Sequence, residues 1–138
     1  MAAVWWTILG MRRQVVGELS RYVTVGVLNT AWGYLLIFAF MYLAHWSPEA
    51  SNIAGYAIGL LTSYLLNRKF TFNSQAKMSG EFGRFIVIFA IAFLANFATL
   101  AFLVRVLEIH AGMGQLVAGV VYVVTSYLLN RTYTFRRY

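Results

Sequence analysis

The residues best suited to binding chemistry in this chain are two Asn-Arg pairs, each near the end of one copy of a repeated motif. An eleven-residue segment that starts at residue 62 recurs 63 residues later, with nine positions identical. Both copies contain Ser-Tyr-Leu-Leu-Asn-Arg, which places Asn67 and Arg68 in register with Asn130 and Arg131. Arginine presents a planar fork of donors that matches the oxygens of a phosphate. The motif therefore predicts a phosphate site built from both pairs, suited to one anionic lipid headgroup.

A plainer interpretation of the same motif stays open. Arginine at the end of a membrane-spanning helix extends to the lipid headgroups and acts as a stop signal. A recent duplication would also preserve the segment in both copies. A stop signal tolerates lysine and varied spacing, whereas bidentate binding of a phosphate requires arginine at matched positions.

Each copy of the repeat opens with Glu-x-x-Arg followed by an aromatic residue. Glu18 and Arg21 in the first copy correspond to Glu81 and Arg84 in the second. Residues three apart are neighbours on a helix, so we expect a local ion pair that neutralises charge near the lipid. In the alternative interpretation, Arg21 and Arg84 join the phosphate site.

Two asparagines lie inside apolar segments, where polar groups are costly. Asn29 and Asn96 do not share the offset of 63, because Asn29 aligns with Ala92. An amide without a partner in hydrocarbon is strongly destabilising, so each should face another helix or a cavity. The two amides either bond between helices or line a polar path for a sugar headgroup. We also assign Tyr64 and Tyr127 to that path.

The sequence offers little for catalysis. It has no Cys and no Asp, and its four acidic residues are all glutamates. It also lacks a phosphate-binding Gly-x-x-x-x-Gly-Lys-(Ser/Thr) loop, a His-Glu-x-x-His motif and a cluster with metal-ligand spacing. We therefore predict no catalytic residues, no metal site and no cofactor, and a protein that is not an enzyme.

The composition indicates which elements must position these residues. Of the 138 residues, 61% are hydrophobic and 11% are charged, against about 45–50% and about 25% in soluble domains. So short a chain cannot bury that much apolar surface within itself. The net charge of +7 suits a nucleic-acid-binding domain only on a polar surface. The composition thus excludes both an ordinary soluble enzyme and a nucleic-acid partner, and it predicts an integral membrane protein.

Four apolar segments have membrane-spanning character, at 22–43, 50–66, 84–107 and 113–129. A span needs about 20 mostly apolar residues. Each copy of the repeat crosses twice, so both copies have the same orientation. The predicted fold is an all-α integral membrane protein with four transmembrane helices, arranged as two tandem parallel helix hairpins.

The domain division follows from the repeat and from the basic residues. Residues 1–20, in which two Trp precede two Arg, predict an amphipathic interfacial helix. Residues 21–138 form the four-span membrane domain, with repeat one at 18–72 and repeat two at 81–135. Ten of the eleven Lys and Arg lie on one side of the four spans, and the other is Arg105. The positive-inside rule then places both termini in the cytoplasm.

These motifs together resemble the GtrA family. The resemblance rests on the Arg-(Tyr/Phe) entry, on Gly26-x-x-Asn29 in the first span, and on the duplicated Tyr-Leu-Leu-Asn-Arg-x-aromatic-Thr-Phe ending. It covers roughly residues 18–135. The second copy departs from the pattern, because Phe93 stands where a glycine would precede Asn96. Equivalent roles for the two asparagines therefore do not follow from the resemblance.

The resemblance implies a multi-pass protein of the bacterial inner membrane that acts in cell-surface polysaccharide synthesis or glycan modification. Family members are associated with moving polyprenyl-phosphate-linked sugars, such as undecaprenyl phosphate-glucose, from the cytoplasmic to the periplasmic leaflet. They work beside glycosyltransferases that make and use the lipid-linked sugar. Four spans leave little room for a cavity, so we expect a homodimer or higher homo-oligomer. The alternative function is a non-transporting adaptor that recruits a glycosyltransferase.

Overall fold

The protein is an assembly of helices. The computed structural model describes the backbone of residues 2–136 and, within it, the side chains of residues 10–47 and 50–136. No strand occurs in this part of the chain, which confirms the all-helical prediction. The elements in chain order are α1 (Ala2–Tyr42), α2 (Pro48–Leu66), the π-helix π1 (Asn67–Thr71), α3 (Met78–Arg105), α4 (Ala111–Leu129) and the π-helix π2 (Asn130–Thr134). Each apolar segment predicted to span lies almost wholly within a separate α-helix.

Three stretches of helix are long and apolar enough to cross a membrane, among the residues described. They are Gly10–Tyr42, Met78–Arg105 and Ala111–Thr134. The α2 helix, which begins Pro-Glu-Ala-Ser-Asn, is not one of them. Membrane-spanning helices are thus present, and the crossing of α2 stays a prediction.

The α1 helix is much longer than a single membrane crossing. Its 41 residues extend over about 61 Å, against about 30 Å of hydrocarbon. One end of α1 must therefore extend beyond the bilayer core even when the helix is tilted. Residues 2–20, predicted to lie at the interface, continue into the first span without a break. Their position at the membrane surface stays a prediction.

The chain divides into two compact units, unit 1 (Met1–Asn73) and unit 2 (Ser74–Tyr138). In unit 1, α1 packs along α2, and π1 contacts both helices. In unit 2, α3 packs along α4, and π2 contacts both. Each unit is therefore a helix hairpin whose second arm ends in a π-helix.

The two units bury corresponding side chains at the end that carries the π-helix. In unit 1 the buried residues there are Glu18, Tyr22, Tyr64, Asn67, Thr71 and Phe72; in unit 2 they are Glu81, Phe85, Tyr127, Asn130, Thr134 and Phe135. Every pair in these two sets is separated by 63 residues. Many large apolar side chains elsewhere, such as Val27, Leu94 and Leu116, are instead exposed. An outward apolar surface of this kind suits contact with lipid.

The turns that close the two hairpins also match. His45 and Glu108, which are 63 residues apart, both have left-handed backbone conformations, with φ of 57° and 53°. Two residues later, the Ser47 hydroxyl accepts a hydrogen bond from the Ala50 amide, at 3.2 Å. His110 likewise accepts one from the amide of Gly112 through Nδ1, at 3.2 Å. Different residue types thus cap the start of α2 and of α4 at equivalent positions.

Candidate functional site

The Asn-Arg pairs lie at the start of the two π-helices. The amide of Phe72 donates to the carbonyl of Asn67 at 2.9 Å, and that of Phe135 donates to the carbonyl of Asn130 at 2.8 Å. These bonds span five residues, one more than in an α-helix, so the last turn of each hairpin is widened. Such widened turns often occur at functional sites.

The asparagine side chains lie inside the widened turns. Asn67 Nδ2 donates to the Ser63 carbonyl at 3.0 Å, and Asn67 Oδ1 accepts from Thr71 Oγ1 at 2.9 Å. In unit 2, Asn130 Nδ2 donates to Ser126 Oγ at 3.3 Å. Both asparagines are buried. The Asn67 amide thus bridges α2 and the end of π1, whereas the bond of Asn130 to Ser126 ties π2 to the last turn of α4. Contact of either amide with a phosphate stays a prediction.

The arginines of the pairs bond to buried tyrosines one helical turn earlier. Arg68 Nη1 donates to the hydroxyl of Tyr64 at 3.4 Å, and Arg131 Nη1 donates to that of Tyr127 at 3.1 Å. The tyrosines are only 1% and 3% exposed, whereas both arginines are half-buried. A rigid aromatic ring therefore sets the direction of each guanidinium, which has five donors to distribute. Neither tyrosine presents an open surface within its unit.

The arginines at the start of each repeat are more exposed. Arg21 lies on the surface of α1, and Arg84 lies on the surface of α3. Arg84 Nη2 donates to the carbonyl of Thr134 at 3.4 Å. Thr134 belongs to the same five-residue π2 as Arg131. Within unit 2, π2 therefore brings Arg84 and Arg131 to one end of the hairpin.

The glutamates of the Glu-x-x-Arg segments point inward, unlike the arginines that follow them. Glu81 is fully buried and Glu18 nearly so. Glu18 Oε1 accepts from Gln14 Nε2 at 3.2 Å, and Glu81 Oε1 accepts from Ser74 Oγ. Buried carboxylates need such partners, because desolvation penalises an isolated charge. Each unit thus buries a carboxyl group at the end that carries its Asn-Arg pair.

The sequence alone did not single out Gln14 and Ser74 as partners of the glutamates. Gln14 precedes Glu18 by one helical turn, a spacing that permits this contact. Ser74 precedes α3 and offered no comparable signal. Among the described residues, no group of three His, Cys, Asp or Glu side chains is placed to hold a metal ion.

Asn29 faces α2 across the hairpin of unit 1. A Cβ added to Gly59 would lie 3.8 Å from Asn29 Nδ2, and one added to Gly55 would overlap Ile37 Cγ1. These two glycines therefore allow α1 and α2 to approach closely. Asn29 Oδ1 is buried and receives no hydrogen bond within the described residues. Asn96, the second predicted path residue, is half-buried on α3.

Apolar hairpins with outward-facing hydrophobic side chains and charged ends define a multi-pass helical membrane protein. Residues 21–135 match the family described as GtrA/DPMS, transmembrane domain. The chain therefore belongs to this family, which confirms the membership that the repeated motif predicted.

Curated relatives point the same way. The chain is 33% identical over 56 residues to a prophage bactoprenol-linked glucose translocase homolog of Escherichia coli (strain K12), and that stretch covers 41% of this chain and 47% of the relative. The bactoprenol-linked glucose translocase of Shigella phage SfX matches with the same identity and the same two coverages. That of phage SfII is 31% identical over 55 residues, with 40% of this chain and 46% of the relative covered. The chain spans about half the length of the curated relatives it matches. No solved structure matches it.

Proposed function

We propose that the protein moves a polyprenyl-phosphate-linked sugar from the cytoplasmic to the periplasmic leaflet of the bacterial inner membrane. The product would serve cell-surface polysaccharide synthesis or glycan modification. Family membership and the names of the relatives support this class of cargo. The observation that carries the proposal is the duplicated, tyrosine-bonded arginine at the end of each hairpin.

The proposed arrangement has four spans in two tandem parallel repeats, residues 18–72 and 81–135. Residues 1–20 are assigned to the cytoplasmic interface, where the part of α1 beyond the bilayer core emerges. Residues 21–138 form the membrane domain, and both termini are cytoplasmic. Ten of the eleven basic residues then face the cytoplasm, as the positive-inside rule favours. In this orientation both π-helices meet the leaflet in which the lipid-linked sugar is made.

Capture of the phosphate is assigned to Arg68 and Arg131, with Arg21 and Arg84 adding positive charge. A hydrogen bond to a charged group contributes about 1.5–3 kcal/mol. Holding a guanidinium in place beforehand reduces the side-chain entropy lost on binding. We assign that holding to the tyrosine hydroxyls, and to Asn67 and Asn130 through the shape of the π-turns.

The sugar needs a polar route through the hydrocarbon region, which we assign to Asn29 and Asn96, with Tyr64 and Tyr127 bordering its cytoplasmic entrance. Asn29 Oδ1, a buried acceptor without a donor among the described residues, would accept a hydrogen bond from a sugar hydroxyl. Burial of the two tyrosines within their units leaves them only the margin of such a route. A homodimer or higher homo-oligomer supplies the remaining walls.

We propose that the protein transports and does not catalyse. Glycosyltransferases that make the lipid-linked sugar on one side and use it on the other maintain the gradient along which it moves. They are the proposed partners of the protein in the cell.

Reconstitution tests this function. Proteoliposomes of the pure protein should make labelled polyprenyl-phosphate-glucose accessible to a membrane-impermeant reagent on the opposite leaflet. The double variant Arg68→Ala/Arg131→Ala should abolish this movement. Lys69→Ala/Lys77→Ala, which removes the same charge from within π1 and from the position just before α3, is the matched control and should retain it.

The same assay separates transport from the adaptor alternative. Transport requires the intramembrane amides, so Asn29→Ala/Asn96→Ala should slow the movement of lipid. An adaptor instead predicts stable co-purification with a glycosyltransferase and full function in that variant. If the pure wild-type protein moves no lipid, the proposed function is wrong.

A further inference from the structure

A cleft of about 270 Å³ lies at the end of unit 2 opposite π2, between α3 and α4. Its lining is almost wholly apolar and comes mainly from one face of α3, and Arg105 and Gln115 contribute little polar surface to it. The lining residues include Phe97, Leu100, Ala101, Val104, Arg105 and Gln115. Arg105 is the one basic residue predicted for the outer side of the membrane. It is exposed, and no carboxylate pairs with it among the described residues.

The length of α3 places this cleft at the second leaflet. Arg84 and Arg105 are 21 positions apart on one continuous helix, which corresponds to about 32 Å. The hydrocarbon core of a bilayer is about 30 Å thick. When Arg84 lies at the cytoplasmic headgroups, Arg105 therefore lies at the headgroups of the other leaflet.

Unit 1 has neither the small residue that leaves this cleft open nor the arginine that lies beside it. The residues equivalent to Phe97, Ala101 and Arg105 are Tyr34, Phe38 and Tyr42. Their rings stack along α1, with centroids 6.3 Å and 6.1 Å apart. Aromatic side chains in unit 1 thus stand where unit 2 has Ala101 and an arginine.

We propose that the unit 2 cleft is a second lipid-phosphate site, at the leaflet opposite the Asn-Arg pair of that unit. Arg105 holds the phosphate of a polyprenyl phosphate, and the apolar face of α3 holds the part of the chain next to it. The cleft is slightly smaller than the roughly 300 Å³ of the smallest ligand pockets, which suits a single chain. The identity of the lipid rests on the proposed function, whereas the site itself rests on the apolar cleft and on the positive charge of Arg105.

The absence of cysteine allows a site-specific test. The variant Gln115→Cys carries a single thiol, which can be labelled with an environment-sensitive fluorophore. The full chain in phosphatidylcholine nanodiscs, with both leaflets accessible, is titrated with polyprenyl monophosphate. We expect a saturable change in fluorescence. Asn52→Cys, at the equivalent position of unit 1, is the matched control and should give no saturable change.

Further variants assign the response to Arg105. Arg105→Gln should lower the apparent affinity about tenfold, as expected for the loss of one charge-assisted contact. Ala101→Phe, which introduces the residue of unit 1, should abolish saturation with the helical circular dichroism unchanged. Arg68→Ala/Arg131→Ala should leave the response intact, so a failed transport assay and a failed cleft assay are separate results.

Four outcomes would overturn the proposal: an equal response at position 52, an equal response to polyprenol without phosphate, an equal response to phosphatidylglycerol, or unchanged affinity in Arg105→Gln. Native mass spectrometry of unlabelled protein provides a second measurement if labelling disturbs the fold. One fewer bound polyprenyl phosphate in Arg105→Gln than in wild type supports the site, and equal numbers contradict it.

Discussion

Unit 1 and unit 2 are alike at one end and different at the other. At the π-helix end, both units have a buried glutamate, a buried tyrosine bonded to an arginine, and an aromatic pair that joins the two arms. The rings of Tyr22 and Phe72 are 6.0 Å apart, and those of Phe85 and Phe135 are 6.2 Å apart. At the hairpin-turn end, one unit has stacked aromatic rings and the other has a cleft beside an arginine.

The comparison separates the contacts that the two copies of the repeat share from those in which they differ. The equivalent contacts at the π-helix end are those that the proposed function uses in both copies. At the turn end only unit 2 has an arginine beside a cleft, which is the site proposed above for the second leaflet. Variants that make the units more or less alike therefore separate the two kinds of role.

The largest effect is expected from the paired arginines. Arg68→Lys and Arg131→Lys should each slow lipid movement about tenfold or more, because lysine lacks the planar fork of donors. The two single variants should have similar effects when both arginines contribute equally to phosphate capture. A strong effect in one and none in the other, in the proteoliposome assay, would show that the units are not functionally equivalent.

The next effect concerns the close contact between the helices of unit 1. Gly55→Ala should lower the free energy of unfolding by about 1–3 kcal/mol, because the added methyl group overlaps Ile37 and overpacks the interface. Unit 2 has Ala118 and Leu100 at the equivalent positions. The double variant Gly55→Ala/Ile37→Leu should therefore recover part of the loss. Thermal unfolding in detergent measures both, and a double variant no more stable than Gly55→Ala would contradict the equivalence.

A smaller effect separates the two π-helices. Thr71 Oγ1 donates to Asn67 at 2.9 Å, whereas the buried Thr134 Oγ1 has no hydrogen-bond partner among the described residues. Thr71→Val should destabilise the protein by about 1–2 kcal/mol, and Thr134→Val should be neutral or stabilising. The difference between the two melting temperatures is the measurement. Equal decreases in melting temperature would show that the two threonine hydroxyls stabilise their π-helices to the same extent.

The smallest effect is expected from the tyrosine hydroxyls. Tyr64→Phe and Tyr127→Phe remove one hydrogen bond to an arginine and should slow lipid movement about two- to tenfold. Tyr127→Phe should have the larger effect, because its bond is shorter, 3.1 Å against 3.4 Å. Wild-type rates in both variants would show that the arginines reach their binding geometry without the tyrosine hydroxyls.

Much of the fold was predictable from the lengths of the apolar segments, because a helix is the simplest way to satisfy the backbone in hydrocarbon. The offset of 63 also paired residues whose burial proves equivalent, such as Glu18 with Glu81. The π-turns were not predictable, because hydropathy does not show whether a backbone amide bonds to the carbonyl four residues earlier or to the one five residues earlier. They depend on contacts such as that of Asn67 with Thr71.

The directions of the charged side chains were also beyond the sequence. The spacing of Glu81 and Arg84 indicates only that the two residues are neighbours on a helix. Packing of α4 and π2 against α3 decides that the carboxyl group is buried while the guanidinium stays at the surface. Packing within each unit likewise buries Tyr64 and Tyr127, which the sequence predicts to line a sugar path. Their role toward a ligand stays a prediction.

The contacts of Phe85 with Phe135 and of Arg84 with Thr134 have a consequence for the order of biogenesis. They join the start of unit 2 to residues about fifty positions later. Chains are synthesised from the N-terminus and tend to fold unit by unit as they emerge. The basic end of unit 1 can close through Tyr22 and Phe72 before unit 2 is made. The basic end of unit 2 must wait for residue 135, so its arginines are the last to reach their final geometry.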